Sequence, residues 1–181
     1  MRFTETPIAG AWTIDPAPHV DERGRFFRAW CSREMAEHGI GFTPLQANMG
    51  ESHRAGTLRG MHYQVAPHEE AKLMRCTRGR IFDVLVDLRP GSATFGKWYG
   101  TELSAQNARM LYLPPLCAHG YQTLEDDTEI YYLTSAVYAP DASRGLRYDD
   151  PTVGIRWPLP VSAISDQDTK WPHLEQTGAM R

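Results

Sequence analysis

The chain has 181 residues, of which 41% are hydrophobic and 23% charged, and its formal net charge is -3. This is the composition of a globular domain that is large enough to bury a core. Because the chain is slightly acidic and has no run of Lys or Arg, we expect neither nucleic acid nor a membrane surface as a partner. The sequence shows no signal peptide and no apolar run near the roughly 20 residues of a membrane span, so we expect a cytoplasmic protein.

The N-terminal part of the chain predicts two short strands and one short helix. The strands are Ala11 to Asp15 and Arg25 to Cys31, and the turn between them lies at Asp21-Glu22-Arg23-Gly24. The helix is predicted from Ser32 to His38, with Ser32 as its N-cap and Gly39 as its C′ residue.

From residue 43 onward, short strands alternate with turns at the spacing of a sandwich or barrel. We predict strands at Thr43 to Asn48, Thr57 to Gln64, Ala71 to Thr77, Arg80 to Leu88, Trp98 to Leu103, Arg109 to Leu113, His119 to Leu124 and Glu129 to Ser135. Prolines break the remaining tail into loops with one terminal helical turn. Many short strands and almost no helix predict an all-β jelly roll, with polar residues of the strand interiors lining its mouth.

The most informative stretch is Thr57-Leu58-Arg59-Gly60-Met61-His62-Tyr63-Gln64. Strict alternation predicts one face with Leu58, Gly60, His62 and Gln64, and a second face with Arg59, Met61 and Tyr63. If His62 points into a barrel, it lies where a ligand would, and an imidazole on a rigid strand suits a general base near neutral pH. Taken alone, however, such a histidine is more often a satisfied core residue.

Other segments carry further side chains that suit chemistry. Lys72 begins the strand after the His68-Glu69-Glu70 loop, and it is either a solvated surface charge or a fixed cation that stabilises an oxyanion. His119 follows a tight turn at the start of a strand. Of the adjacent pair Tyr131 and Tyr132, one must face inward and the other outward. The segment Ser165-Asp166-Gln167-Asp168 places two carboxylates in a loop, where most Asp residues are turn formers.

These motifs resemble, in order, those of the dTDP-4-dehydrorhamnose 3,5-epimerase family, nucleotide-sugar epimerases of the cupin superfamily. The matching segments cover nearly the whole chain: Asp21 to Gly24, Leu58 to Gln64, Phe82-Asp83-Val84, Val86 to Arg89, Thr94 to Trp98, Leu113-Pro114, Ala118-His119-Gly120, Asp149-Asp150-Pro151 and Asp168. The resemblance implies a cupin-type jelly-roll barrel formed by residues 1–181, with one or two short helices. It also implies a homodimer in which the N-terminal segments cross to the partner barrel. We expect no cofactor or metal, because the residue pattern supplies a protein base and a cationic partner for an oxyanion without a set of metal ligands.

The resemblance also implies roles for individual residues. His62 would be the general base, Asp168 the carboxylate that orients it, and Tyr132 the opposing acid. Lys72 would stabilise the enolate oxygen together with His119. The substrate-lining positions would include Arg23, Gln46, Asn48, Arg59 and His119, with Tyr138 stacked on the nucleotide base.

The reaction implied by the resemblance is epimerisation at carbon-3, carbon-5 or both of a nucleotide-linked 4-keto-6-deoxyhexose. The leading candidate converts dTDP-4-dehydro-6-deoxyglucose to dTDP-4-dehydro-L-rhamnose. The ketone acidifies the neighbouring hydrogens, so a base on one face can form an enolate and an acid on the other face can return the proton. By the same logic, we expect Asp83 to orient His119, since both His residues would need a fixed tautomer.

The chain departs from the family pattern at a few positions. Arg28 stands where an acidic residue is usual, Ser143 where a glutamate is common, and Gln167 where a lysine is common, and Leu116-Cys117 replaces Gly-Phe. Charge changes at substrate-lining positions leave open an epimerase that acts at one carbon only, or one that acts on a CDP- or GDP-linked sugar.

Three further classes of protein are less favoured by the sequence. A metal-dependent cupin would need a His-x-His pair where this chain has His62-Tyr63-Gln64, so a full ligand set is missing. A catalytically silent sugar-binding module would be expected to lack His62 or Tyr132. A sugar ketoisomerase also uses barrel His and Tyr residues, but it does not share the Arg-Gly-Met-His-Tyr-Gln string. Three widely spaced cysteines, Cys31, Cys76 and Cys117, fit neither a disulfide framework nor a clustered zinc site.

Overall fold

The computed structural model describes residues 1–176 of the chain. Its strands are β1 (Arg2–Glu5), β2 (Trp12–Asp15), β3 (His19–Asp21), β4 (Gly24–Phe26), β5 (Gln46–Ser52), β6 (Leu58–Gln64), β7 (Lys72–Arg78), β8 (Arg80–Asp87), β9 (Trp98–Ser104), β10 (Met110–Leu113), β11 (Cys117–Thr123), β12 (Thr128–Thr134) and β13 (Ser143–Gly145). The helix α1 spans Ser32–Glu37, and short 3-10 helices lie at Pro140–Ala142, Asp168–Lys170 and Leu174–Gln176.

The strands form two antiparallel sheets and a separate hairpin. The six-stranded sheet has the order β1-β2-β10-β7-β12-β5, the five-stranded sheet has the order β13-β6-β11-β8-β9, and β3 pairs only with β4. Consecutive strands therefore often lie in different sheets, as in a jelly roll. The prediction of an all-β fold with very little helix is confirmed.

The core between the sheets is apolar at one end of the barrel. Met74 and Leu111 of the six-stranded sheet pack in one cluster with Ile81, Leu85 and Leu103 of the five-stranded sheet. The outer face of each sheet is also covered. A second cluster packs C-terminal segments on the five-stranded sheet, and a third packs α1 and the segment after it on the six-stranded sheet. Both sheets are thus held in place from inside and outside, which makes the strands rigid supports for a site.

The end of α1 agrees with the sequence better than its beginning does. Gly39 has φ +73°, its N–H donates to Ala36 O, and the N–H of Ile40 donates to Met35 O. These two bonds form the Schellman motif that a glycine at C′ permits. The prediction of Ser32 as the N-cap was wrong, since Cys31 occupies that position and no side chain caps the first turn. No helix within residues 1–176 has the length and apolarity needed to cross a membrane.

Strand boundaries differ from the predictions where pairing, rather than local sequence, decides them. The predicted strand from Arg25 to Cys31 is reduced to β4, because its only partner is the short β3. The predicted strand that ended at Asn48 continues to Ser52 as the second half of β5, because β5 pairs with β12 along its whole length. Strands β1 and β13, which are short and lie at the edges of the two sheets, were not predicted.

The alternation predicted for β6 fails between Arg59 and His62. His119 of β11 is opposite His62, and Tyr121 is opposite Arg59, so β6 uses one residue more than β11 over this part of the ladder. Such a bulge re-aims side chains. As a result, Arg59 lines the same cavity as His62 instead of the opposite face. Met61 and Tyr63 pack in the cluster outside the sheet, as predicted.

Candidate active site

A cavity of about 700 Å³ opens between the two sheets beside the apolar core. Strands β5, β7 and β12 form one wall, β6 and β11 form the other, and the loops near residues 138, 143 and 163–168 form the rim. All the predicted site residues except Arg23 line this cavity: Gln46, Asn48, Arg59, His62, Lys72, His119, Tyr132, Tyr138 and Asp168.

His62 and Asp168 form a close pair, as the sequence analysis expected. Nε2 of His62 lies 2.6 Å from Oδ1 of Asp168, and the imidazole is 41% exposed whereas the carboxylate is only 5% exposed. Burial raises the pKa of Asp168, but hydrogen bonds from His62, from the Gly60 N–H and from Trp171 Nε1 outweigh it, so that the pKa lies below its ordinary value. An ionised carboxylate only accepts, so Nε2 carries the proton and Nδ1 remains available as a base.

Trp171 and Gly145, neither of which was predicted from the sequence, support Asp168. The first contacts the carboxylate and the second leaves room for the first. Trp171 donates from Nε1 to Asp168 Oδ1 at 3.2 Å, and its ring meets the His62 ring edge-on at 6.1 Å between centroids. Gly145 lies opposite His62 in the β13–β6 ladder. A Cβ at Gly145 would lie 2.1 Å from Trp171 Cδ2, so the tryptophan can reach this place only because residue 145 is glycine.

A second His–Asp pair lies deeper in the same wall. Nε2 of His119 is 2.7 Å from Oδ1 of Asp83, with the two side chains 8% and 0% exposed. The expectation that Asp83 contacts His119 is confirmed. Because a buried imidazole fixed in this way cannot rotate freely, it presents one constant ring edge to the cavity.

Lys72 is buried, so the alternative of a solvated surface charge was wrong. Its Nζ is 3.0 Å from Glu70 Oε1 and 3.4 Å from the main-chain oxygen of His62. Glu70 also lines the cavity. Glu70 was predicted only as a loop residue, and its spacing of two from Lys72 is the one signal that could have indicated the contact.

Tyr132 lies on the wall opposite His62, because β12 belongs to the six-stranded sheet and β6 to the five-stranded sheet. Tyr132 faces the cavity, whereas its neighbour Tyr131 does not line it. Burial raises the pKa of Tyr132 above its ordinary value, the Glu70 carboxylate raises it further, and Arg59 partly offsets these effects. The hydroxyl is therefore protonated at neutral pH and can donate a proton.

Two amides connect the rim of the cavity to its walls. Gln46 donates from Nε2 to Asn48 Oδ1 at 2.8 Å and accepts from the Tyr138 N–H at 3.1 Å. Gln64 is buried, and it accepts from the Ala139 N–H at 2.7 Å. These contacts fix the main chain on both sides of the Tyr138 side chain, which is 58% exposed at the rim.

Arg23 is not brought to the cavity of its own chain. It lies on the β3–β4 hairpin with its side chain 84% exposed, and it pairs with Asp21. Among the departures from the family pattern, Ser143 and Gln167 line the cavity, whereas Arg28 pairs with Glu34 of α1. Within residues 1–176 there is no group of three or more His, Cys, Asp or Glu side chains that could hold a metal ion.

Comparisons with known proteins agree with this geometry. The family model of dTDP-4-dehydrorhamnose 3,5-epimerase matches residues 5–176. The dTDP-4-dehydrorhamnose 3,5-epimerase of Sinorhizobium fredii (strain NBRC 101917 / NGR234) is 42% identical over 179 residues, which cover 96% of this chain and 90% of that protein.

Solved structures match over the same extent. The crystal structure of dTDP-4-dehydrorhamnose 3,5-epimerase from Elizabethkingia anophelis NUHP1 has a TM-score of 0.94 at 34% identity, with 98% of each chain covered. The dTDP-6-deoxy-D-glucose-3,5-epimerase of Legionella pneumophila Philadelphia 1, in complex with dTDP-4-keto-L-rhamnose, has a TM-score of 0.92 at 34% identity, covering 98% of this chain and 95% of that one. The cupin-type jelly roll is thereby confirmed, and the chain belongs to the dTDP-4-dehydrorhamnose 3,5-epimerase family of isomerases.

Proposed function

We propose that this protein epimerises carbon-3 and carbon-5 of dTDP-4-dehydro-6-deoxyglucose to give dTDP-4-dehydro-L-rhamnose. The observation that carries the proposal is the placement of a carboxylate-oriented base, His62, and a neutral acid, Tyr132, on opposite walls of one cavity. Inversion at carbon requires that the proton leave one face and return to the other, which is what two opposed groups can do.

The side chains suit each step of such a reaction. Nδ1 of His62 takes the proton from the carbon beside the ketone, and the electron pair of the broken C–H bond delocalises onto the carbon-4 oxygen as an enolate. The Asp168 carboxylate favours the imidazolium that forms. Lys72 and His119 stabilise the negative oxygen, which they do effectively because the cavity wall around them is buried. Tyr132 then gives its proton to the opposite face of the carbon, and both residues return to their first protonation states by exchange with solvent.

The rim of the cavity suits the nucleotide. Arg59 is fixed by the main-chain oxygen of Glu51 at 3.0 Å and carries a positive charge that a diphosphate would neutralise. The exposed ring of Tyr138 offers a flat face on which a base can stack. The complex of the Legionella relative with dTDP-4-keto-L-rhamnose supports a ligand of this class.

The active unit in this proposal is a homodimer of single jelly-roll domains, residues 1–181, whose N-terminal segments cross to the partner barrel. Phe26 is 81% and Val20 is 68% exposed on the β3–β4 hairpin, which is costly for apolar side chains unless a second chain covers them. A crossing hairpin would also bring Arg23 to a cavity. We further propose a cytoplasmic location, which the three free cysteines support.

Incubation with dTDP-4-dehydro-6-deoxyglucose in deuterium oxide, followed by NMR, tests the proposed reaction. Deuterium at both carbon-3 and carbon-5, together with the L-rhamno product, is the expected result. Deuterium at one carbon only would establish a single-centre epimerase instead, and no incorporation at either carbon would overturn the proposal. We expect a chelator-treated sample to keep its rate. Loss of activity after chelation, with recovery on adding one equivalent of a divalent ion, would contradict that expectation.

A further inference from the structure

Glu70 is a largely buried carboxylate on the cavity wall with no part in the steps above. Its Oε1 is 3.0 Å from Lys72 Nζ, and each of the two side chains is only 10% exposed. Lys72 Nζ also contacts the main-chain oxygen of His62 at 3.4 Å. Because an ammonium has three N–H donors, these two contacts fix its position and leave one donor for an oxygen of a bound molecule.

The strand register brings this ion pair close to Tyr132. In the β12–β7 ladder, Tyr132 is opposite Met74 and Thr134 is opposite Lys72. Tyr132 and Lys72 are therefore diagonal neighbours on one face, within the reach of long side chains. Glu70 precedes Lys72 by two residues and lines the same cavity. A negative charge near a phenol disfavours its ionised form, and the Glu70 carboxylate raises the pKa of Tyr132 in this way.

Stability does not account for a buried pair at this place. Removing two charges from water is costly, and the exchange of a buried ion pair for apolar side chains is often neutral or stabilising. The pair lies in the wall of the cavity, where its charges act on whatever the cavity holds. A role in the reaction explains both its burial and its position.

We propose that Glu70 is a positioning residue of this active site, whose carboxylate fixes the Lys72 ammonium and acts on the neighbouring Tyr132 hydroxyl. The inference rests on the proposed function, in which Tyr132 donates the proton and Lys72 stabilises the enolate oxygen. The residue of β5 that pairs with Tyr132 is Asn48, whose side chain is a neutral amide. The other titratable or charged side chains around the cavity are Arg59, His62 and Tyr63 on β6, Lys72 on β7, His119 and Tyr121 on β11, Tyr138 at the rim and Asp168 at the start of its 3-10 helix.

A titration of the tyrosines, labelled with carbon-13 at Cζ and followed by NMR, tests the inference without substrate. The signal of Tyr132 is the one that Tyr132→Phe lacks. Glu70→Gln is expected to lower the midpoint of this signal by about one pH unit or more, because it removes a negative charge and leaves the Lys72 cation unpaired. Lys72→Met is expected to raise the midpoint. An unchanged midpoint in Glu70→Gln would overturn the inference.

Matched variants separate this effect from a general disturbance. Glu69→Gln removes the neighbouring carboxylate, which does not line the cavity, and should leave the midpoint unchanged. If the unpaired lysine prevents Glu70→Gln from folding, the double variant Glu70→Gln/Lys72→Met is compared with Lys72→Met. The double variant should titrate at the lower pH, and equal midpoints would count against the inference.

Enzyme activity distinguishes the inference from the proposed function on which it rests. Absence of deuterium exchange in the unaltered protein would overturn the proposed function, whereas the tyrosine titration would still report on Glu70. In the active protein, Glu70→Gln should move the basic limb of the kcat/KM profile to lower pH, and Glu70→Asp should restore much of it. A purely structural role predicts a lower melting temperature with the basic limb unmoved, and that result would overturn the inference.

Discussion

His62 and His119 are opposite each other in the β6–β11 ladder, and each places Nε2 on its own carboxylate oxygen, at 2.6 Å from Asp168 and 2.7 Å from Asp83. The two pairs differ mainly in burial. The His62 side chain is 41% exposed and that of His119 is 8% exposed. The exposed imidazole of His62 can exchange protons with substrate and solvent, whereas the buried imidazole of His119 serves better as a fixed dipole or cation.

His62→Ala should remove both epimerisation and deuterium exchange while the fold persists. A general base contributes about a hundredfold to ten-thousandfold to the rate. His119, the other imidazole in the wall, is only 8% exposed and bound to Asp83, so we do not expect it to take the place of His62. Exchange is measured by NMR and folding by thermal unfolding. His68→Ala, which removes an exposed imidazole six residues along the chain, is the control and should keep the full rate. Near-normal exchange in a folded His62→Ala protein would assign the base elsewhere.

Tyr132→Phe should separate proton abstraction from inversion. The variant keeps the ring but loses the proton donor. Exchange of the substrate hydrogen on the face toward His62 therefore continues, whereas a proton can no longer be delivered to the opposite face of the carbon. The ratio of exchange to inversion should therefore rise above that of the unaltered protein.

Tyr131→Phe is the matched control for this ratio, because Tyr131 does not line the cavity. If the Tyr132 hydroxyl only satisfied a buried partner, its loss would cost about 1 to 3 kcal/mol of stability and leave the ratio unchanged. Thermal unfolding and the ratio, measured on one preparation, decide between the two roles.

Gly145→Ala should lower activity through Trp171. The added methyl group would fall within the indole ring, so the ring must move, and its hydrogen bond to Asp168 is lost. Overpacking of this kind costs about 1 to 3 kcal/mol in the free energy of unfolding. We expect a lower kcat and altered tryptophan fluorescence. Gly41→Ala, at a position with open space for a Cβ, should change neither, and a normal kcat for Gly145→Ala would show that Trp171 is not needed to hold Asp168.

Asp87→Asn should lower the free energy of unfolding at neutral pH and should make that free energy depend less on pH in the acid range. Burial alone would raise the pKa of Asp87, but hydrogen bonds from Arg89, Ser92 and Thr94 lower it well below 3.8. Because the folded-state pKa lies below the unfolded value, the ionised carboxylate stabilises the fold above that value, and the contribution is lost as pH falls through the folded-state pKa.

Urea unfolding between about pH 7 and pH 2 measures this effect. At pH 7, Asp87→Asn should lose about 3 to 5 kcal/mol, the cost of breaking a buried pair. The difference from the unaltered protein should stay constant down to about pH 5 and shrink only as the pH falls below the unfolded-state pKa of the carboxyl group, about 4. The exposed Asp141→Asn is the control and should show the unaltered pH dependence. A constant difference at all pH values would contradict the assignment.

Much of the site could be predicted from the sequence because its residues lie on short strands with ordered motifs. The resemblance of the ordered motifs assigned His62, Lys72 and Tyr132 to the site, although alternation alone left open which of the two adjacent tyrosines faces inward. The contact between Asp83 and His119 was expected because both histidines would need a fixed tautomer. The end of α1 at Gly39 was also predictable, since a left-handed C′ residue is a local requirement.

The rest was decided by contacts between segments that are distant in the chain. The bulge that turns Arg59 toward His62 arises where β6 pairs with β11, and no local pattern in β6 indicates it. The full length of β5 depends on its pairing with β12. The support of Asp168 by Trp171 depends on the open space at Gly145. Sequence periodicity reports which side chains can be buried, but the register of a ladder and the packing of a loop are set by long-range contacts, so only the tertiary structure determined them.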